Sequence, residues 1–182
     1  MSRPKALLPW GTTTILGQVL EHARASRAAG TAVVTGASAG PIGAVARAHG
    51  ADVVHNPDWR TGGLTASLQA AVRAVDPAAT AVAVLLADQP LIGPAVIDAV
   101  VAAHLDDGYD LAAAADSGRR GHPVLFGRPF FADVLAEPPE GSPRALLDRF
   151  ADRLRLVEVA TDAVITDIDT PEDYGRLRGT QG

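Results

Sequence analysis

The chain has 182 residues, with 16 Lys plus Arg against 21 Asp plus Glu and a formal net charge of −5, which fits one ordinary domain. Hydrophobic residues at 47% and charged residues at 20% supply enough apolar material for a buried core and exclude a chain disordered by composition. There is no cysteine, which excludes a disulfide framework, a thiolate zinc site and a cysteine nucleophile, and the acidic balance gives no electrostatic reason to expect nucleic acid.

Short β-branched runs alternate with longer alanine-rich stretches of helical period, so an α/β fold is expected: a mainly parallel sheet flanked by helices, in one domain over residues 1–182. Residues 12–29 place Ile15, Leu16, Val19, Leu20 and Ala23 on one stripe and stop at Gly30, which predicts a helix. Strands at 32–34 and 51–54 should flank a short helix over 41–49 that Gly50 closes. Turn formers fill 56–63, and a helix over 64–75 ends at Asp76-Pro77. Residues 80–87 form an almost unbroken apolar run, as expected of a central strand covered on both faces, and deliver Asp88-Gln89-Pro90 at its carboxyl end. Pro94 opens a helix over 94–105. Further strands are expected at 109–115, 124–126, 154–159 and 164–168, and short helices at 144–150 and 172–177. No apolar run nears the roughly 20 residues that span a bilayer, and Met1-Ser2-Arg3-Pro4-Lys5 has no apolar stretch behind its basic residues, so a cytoplasmic protein without a membrane partner is expected.

Open parallel sheets bind ligands just outside their strand ends, which is where Asp88 falls, and a carboxylate there can offer a hard oxygen to Mg²⁺. A second acidic group runs from Asp167 to Asp173. Alternation would put Asp167 and Asp169 on one face with Ile168 buried opposite, while Thr170-Pro171-Glu172-Asp173 reads as the capped start of a helix. Asp169 is therefore the candidate metal carboxylate, and Asp167 stays open between ligand and loop residue. Ser67 follows Gly62-Gly63, a turn whose backbone amides can form an anion or base site or simply start a helix. His122 sits between Gly121 and Pro123 after Arg119-Arg120, equally suited to a ligand loop or a hairpin turn. Lys5 in isolation says little.

Together, Pro4-Lys5-Ala6-Leu7-Leu8-Pro9, Asn56-Pro57-Asp58-Trp59 with Gly62-Gly63 and Ser67-Leu68, Leu86-Ala87-Asp88-Gln89-Pro90-Leu91, Gly121-His122-Pro123-Val124-Leu125-Phe126 and Asp167-Ile168-Asp169-Thr170-Pro171-Glu172-Asp173-Tyr174 resemble the MobA-like NTP transferases, nearest the molybdenum cofactor cytidylyltransferase group. The resemblance implies a Rossmann-like nucleotidyltransferase that moves a nucleoside monophosphate, CMP from CTP, onto the phosphate of the molybdopterin cofactor and releases pyrophosphate, with Mg²⁺ as cofactor. Lys5 would contact triphosphate oxygens and serve catalysis with Asp88. Asp88 and Asp169 would hold the metal, and Asn56, Gly63, Ser67, Gly121 and His122 would line the nucleotide and acceptor pocket. A molybdoenzyme or its maturation factor would be the downstream partner. Alternatives are transfer to a sugar phosphate or another small phosphate ester, and a non-catalytic binding remnant.

Three departures accompany the resemblance. Members begin with a strand and a glycine-rich loop reading approximately Leu-Ala-Ala-Gly-x-Ser-x-Arg-Met-Gly, whereas this chain starts at Met1-Ser2-Arg3, where that loop would end, so a truncated first strand and a gap in the sheet are expected. The interval from Gly63 to Ser67 is shifted by one residue. Glu140-Gly141-Ser142-Pro143-Arg144 lacks the Gly-Asp pair often found before the Arg-Ala-Leu-Leu segment.

Overall fold

The computed structural model describes residues 4–178; Met1-Ser2-Arg3, and whatever strand or loop would precede Pro4, lie outside them. The chain opens with a 3₁₀ turn, Lys5–Leu7, and a small antiparallel pair, β1 (Pro9–Trp10) and β2 (Thr13–Thr14), turning at Gly11 with φ +55°. The hairpin consumes the start of the helix expected over 12–29: α1 is Ile15–Arg24, with the Thr14 hydroxyl accepting from the Gly17 amide as N-cap. Then follow β3 (Ala32–Thr35), α2 (Ala39–Ala48), β4 (Asp52–His55), α3 (Gly63–Ala74), β5 (Ala81–Val84), α4 (Pro94–Leu105), β6 (Leu111–Asp116), β7 (Arg119–Gly127), α5 (Phe131–Ala136), α6 (Pro143–Arg149), β8 (Arg155–Glu158) and α7 (Pro171–Arg178).

Two larger sheets result. Strands β3 and β4 pair in parallel, and the second sheet has the order β5-β7-β6-β8. Strand β7 runs antiparallel to β5 and β6, while β8 is parallel to β6, so β5, β6 and β8 share one direction and β7 alone opposes them. The reversal is local chemistry: Ser117 and Gly118 both have positive φ, 51° and 75°, the geometry of a two-residue hairpin turn that matches strand twist. Among the described residues no ladder joins β3 to β5, so each keeps one edge without a strand partner.

One core lies between the four-stranded sheet and α3, α5 and α6, where Leu68, Leu111, Phe126, Phe130 and Leu146 are buried together. Val100 and Ala103 of α4 cover the opposite face with Val164. A third cluster unites the chain's ends, packing Trp10 and Ile15 on Ile168 and Leu177, and the Tyr174 hydroxyl donates to the Pro9 carbonyl at 2.6 Å. No described helix is long and apolar enough to cross a membrane.

The strand expected at 164–168 does not form. Residues Asp162–Ile165 make a 3₁₀ turn, started by the Thr161 hydroxyl accepting from the Ala163 amide, and 166–169 continue as irregular chain. The β-branched run was the misleading signal; Val164 is fully buried against α4 and the sheet, and that packing outweighs propensity.

Candidate active site

Strand β5 stops at Val84, and the chain runs on through Leu86 and Ala87 to Asp88 outside the sheet. The acidic segment near the C-terminus is tied to it directly: the Ile168 amide donates to the Asp88 carbonyl at 3.2 Å, with Ile168 buried beneath. Asp169 follows immediately. The Thr170 hydroxyl accepts from the Asp173 amide, and the Thr170 amide donates to the Asp173 carboxylate, a reciprocal cap that fixes where α7 begins. The Thr170 hydroxyl also donates to the Asp173 carboxylate at 2.8 Å, and that bond first, with Arg176's next, holds Asp173 below the usual carboxylate range.

Lys5 closes the group. Its Nζ lies 2.9 Å from Asp169 Oδ1 and 3.5 Å from Asp88 Oδ2, so residues near both ends of the chain and a strand end in its middle meet at one point. The hydrogen bond to Asp169 raises the Lys5 pKa against the opposing effect of burial, and the charge of Asp88 adds to it. With Lys5 33% exposed and Asp169 66% exposed, solvent screening leaves such a pair worth only about 0.2–1 kcal/mol. The ammonium is held loosely enough to be displaced.

Two carboxylates around a cation are a hard-oxygen donor set. Among the described residues no group of three or more His, Cys, Asp or Glu side chains forms a metal cage. Mg²⁺ suits such a place, because it is commonly held by one or two carboxylates plus substrate phosphates and water. Asp88 and Asp169 fit that role.

Beside this group opens a cleft of about 900 Å³, bounded by α3, β7, α6 and the 164–167 segment, and a smaller cavity of about 340 Å³ adjoins Lys5 and Asp88. Leu86 lines both. The large cleft has apolar walls, including Leu64, Leu68, Leu86, Leu147 and Leu154, with Arg119, Arg120 and Arg144 among its polar residues. Arg120 is engaged by Asp148 at 2.8 Å. His122 and Gly121 line the same cleft from β7. Burial pulls the His122 pKa down, against the opposing charges of Asp167 and Asp88, which keeps its imidazole neutral at neutral pH. Gly121 is required by close packing, since a Cβ there would lie 1.9 Å from the Val164 carbonyl oxygen.

Asn56, Gly63 and Ser67 come together with one another on a neighbouring wall. The buried Asn56 side chain donates to the Ser67 hydroxyl at 3.1 Å and accepts from the Asp58 amide at 2.9 Å, while Ser67 faces the Gly63 carbonyl at 3.5 Å. These polar atoms organise the loop between β4 and α3, and Gly63 supplies the left-handed turn, φ +54°. The cleft is touched instead by Leu64 and Leu68 of the same helix.

Gln89 was missed as a site residue. It is 3% exposed and its Nε2 donates to Asp167 Oδ1 at 2.7 Å and to the Val164 carbonyl at 3.4 Å, so it ties Asp167, which lines the cleft, to the loop after β5. An amide between an acid and Pro90 was the available signal.

The family pattern of the MobA-like NTP transferase domain matches residues 1–156. The chain belongs to this family. Among solved structures, Rv0371C of Mycobacterium tuberculosis H37Rv in complex with manganese is 28% identical, with a TM-score of 0.79 over 98% of this chain and 93% of that one. A CMP:2-keto-3-deoxy-manno-octonic acid synthetase complexed with CTP shares the fold at 18% identity, with a TM-score of 0.79 over 98% and 92% of the two chains. A cytidylyltransferase from Leptospira borgpetersenii does so at 20% identity, with a TM-score of 0.73 over 96% and 78%. No curated protein sequence matches the chain.

Proposed function

We propose that this nucleotidyltransferase-family protein transfers CMP from CTP to the phosphate of the molybdopterin cofactor, releasing pyrophosphate, with Mg²⁺ at Asp88 and Asp169. The observation that carries the reading is the meeting of Lys5, Asp88 and Asp169 at the edge of a large apolar-walled cleft.

In the reaction an oxygen of the acceptor phosphate attacks the α-phosphorus, forming the new phosphoanhydride bond. The bond from that phosphorus to the bridging oxygen breaks, and its electron pair leaves with pyrophosphate. Such a displacement needs positioning and neutralised oxygens more than a protein nucleophile. Lys5 supplies a positive charge to the triphosphate, and the metal, when bound, neutralises phosphate oxygens. Asp88 and Asp169 orient that charge. Neutral His122 and the Gly121 backbone shape the acceptor side. The manganese held by the 28% identical Rv0371C supports a divalent ion, and the CTP in a structure of the same fold supports the nucleotide.

The cleft combines leucines with the polar side chains of Arg119, Arg144 and Gln89, which suits an anionic acceptor with a ring body and polar edges. A molybdoenzyme or its maturation factor would then receive the product. A chain without cysteine fits a reducing, cytoplasmic setting for that transfer.

The test is product formation. With Mg²⁺ and each of the four NTPs, pyrophosphate release should depend on molybdopterin and be fastest with CTP, giving a cytidylylated product by mass spectrometry. Release supported only by a sugar phosphate would transfer the reading to that acceptor, and none with any NTP would contradict transfer.

A further inference from the structure

We infer that Lys5 is an internal counter-ion that closes the Asp88 and Asp169 site to a free divalent cation and yields it to one arriving with a polyphosphate, so that this residue selects metal–nucleotide complex over bare metal. The inference rests on the metal site and the nucleotide of the reading above.

The geometry sets the competition. The Nζ of Lys5 stands 2.9 Å from an Asp169 oxygen and 3.5 Å from an Asp88 oxygen, in contact with both carboxylates that a shared cation would use. Mg²⁺ needs oxygens at about 2.1 Å, which cannot be met while an ammonium keeps the same oxygens. Two carboxylates and one ammonium leave a net charge of −1 at the site. A bare dication must expel Lys5 from both partners and then face its positive charge at close range. With a polyphosphate present, the dication takes the carboxylates while Lys5 moves to phosphate oxygens, and every charge keeps an opposite neighbour.

The surroundings permit that exchange. Lys5 is one-third exposed and carries a flexible four-carbon stem. Its backbone is anchored independently, by buried Leu7 and by the Leu7 amide donating to Pro4 and the Leu8 amide to Lys5, so the ammonium can swing without moving the chain. Asp88 and Asp169 are held by the Ile168 amide bond and the α7 cap. Among the described residues no third ligand converges that would hold a metal with Lys5 in place.

The experiment measures Mn²⁺ uptake by electron paramagnetic resonance on the full chain, with no nucleotide, for wild type, Lys5→Met and Lys5→Gln. Both variants should bind free Mn²⁺ about tenfold tighter than wild type, and adding Asp169→Asn to Lys5→Met should abolish the gain. Adding a non-hydrolysable CTP analogue should raise Mn²⁺ affinity strongly in wild type and only slightly in the variants. Equal or weaker free-Mn²⁺ binding in both variants would overturn the inference. Tighter binding in the variants, with no effect of any nucleotide on any form, would uphold exclusion of free metal by Lys5 while overturning selection of the metal–nucleotide complex and the proposed function.

Discussion

The Nε2 of Gln89 donates to Oδ1 of Asp167 at 2.7 Å, joining the loop after β5 to the segment that carries Asp169. Both partners of this amide, Asp167 and the Val164 carbonyl, are pure acceptors, which fixes its orientation and leaves the buried Oε1 without a hydrogen-bond partner among the described residues. Gln89 is thus a positioning residue for the cleft floor. Gln89→Leu keeps the volume and removes both bonds, and should cost about 1–3 kcal/mol in urea denaturation. Its KM for the acceptor should rise more than its KM for CTP, because Asp169 retains its cap. Unchanged stability would remove the clamp from the account.

His122 predicts a pH dependence. Its pKa in the fold lies below the ordinary 6.5, burial being the largest cause, so just below pH 6.5 the unfolded chain binds more protons than the folded one. Stability contributed by neutral His122 is complete above 6.5 and falls as pH drops from there toward the folded-state value. His122→Gln should flatten that slope. Urea midpoints from about pH 7.5 to about pH 5 in both proteins test it, and parallel curves would contradict the half-buried neutral imidazole.

Two glycines should respond oppositely to alanine. Gly121→Ala drives a Cβ into the Val164 carbonyl at 1.9 Å and should destabilise by about 1–3 kcal/mol, through displacement of the 164–167 segment. Gly175, inside α7, has nothing within 4 Å of where an alanine methyl would sit, so Gly175→Ala should stabilise by about 0.5–1 kcal/mol. Thermal melts of the pair decide whether close backbone approach is the constraint at Gly121.

Much of this was legible in the chain because local and tertiary preferences agree. The α4 helix at Pro94–Leu105 has the bounds that Pro94 and the apolar run predict, and Gly50 closes α2 with a positive φ of 75°. Asp88 could be singled out because it follows an apolar strand, where open parallel sheets place ligands, and Asp169 because it follows a second apolar run just before a capped helix start. Their convergence on Lys5 is a long-range contact, spanning 83 and 164 positions, and no periodicity encodes it. Where 164–168 failed, β-branched residues meant burial rather than extended pairing. The side chain of Asn56 binds its own loop's backbone, something an Asn in a turn does as readily as it binds a ligand, and the sequence alone does not separate the two.

The central claim is that Asp88 carries the chemistry at the strand end. Pyrophosphate release by wild type and Asp88→Asn, in Mg²⁺, CTP and molybdopterin, with circular dichroism to confirm equal folding, tests it most directly. The account predicts a loss of turnover of about 100-fold or more with little change in melting temperature, since the Asp88 side chain is partly exposed and asparagine keeps its shape. Turnover in Asp88→Asn equal to wild type at saturating Mg²⁺ would contradict it.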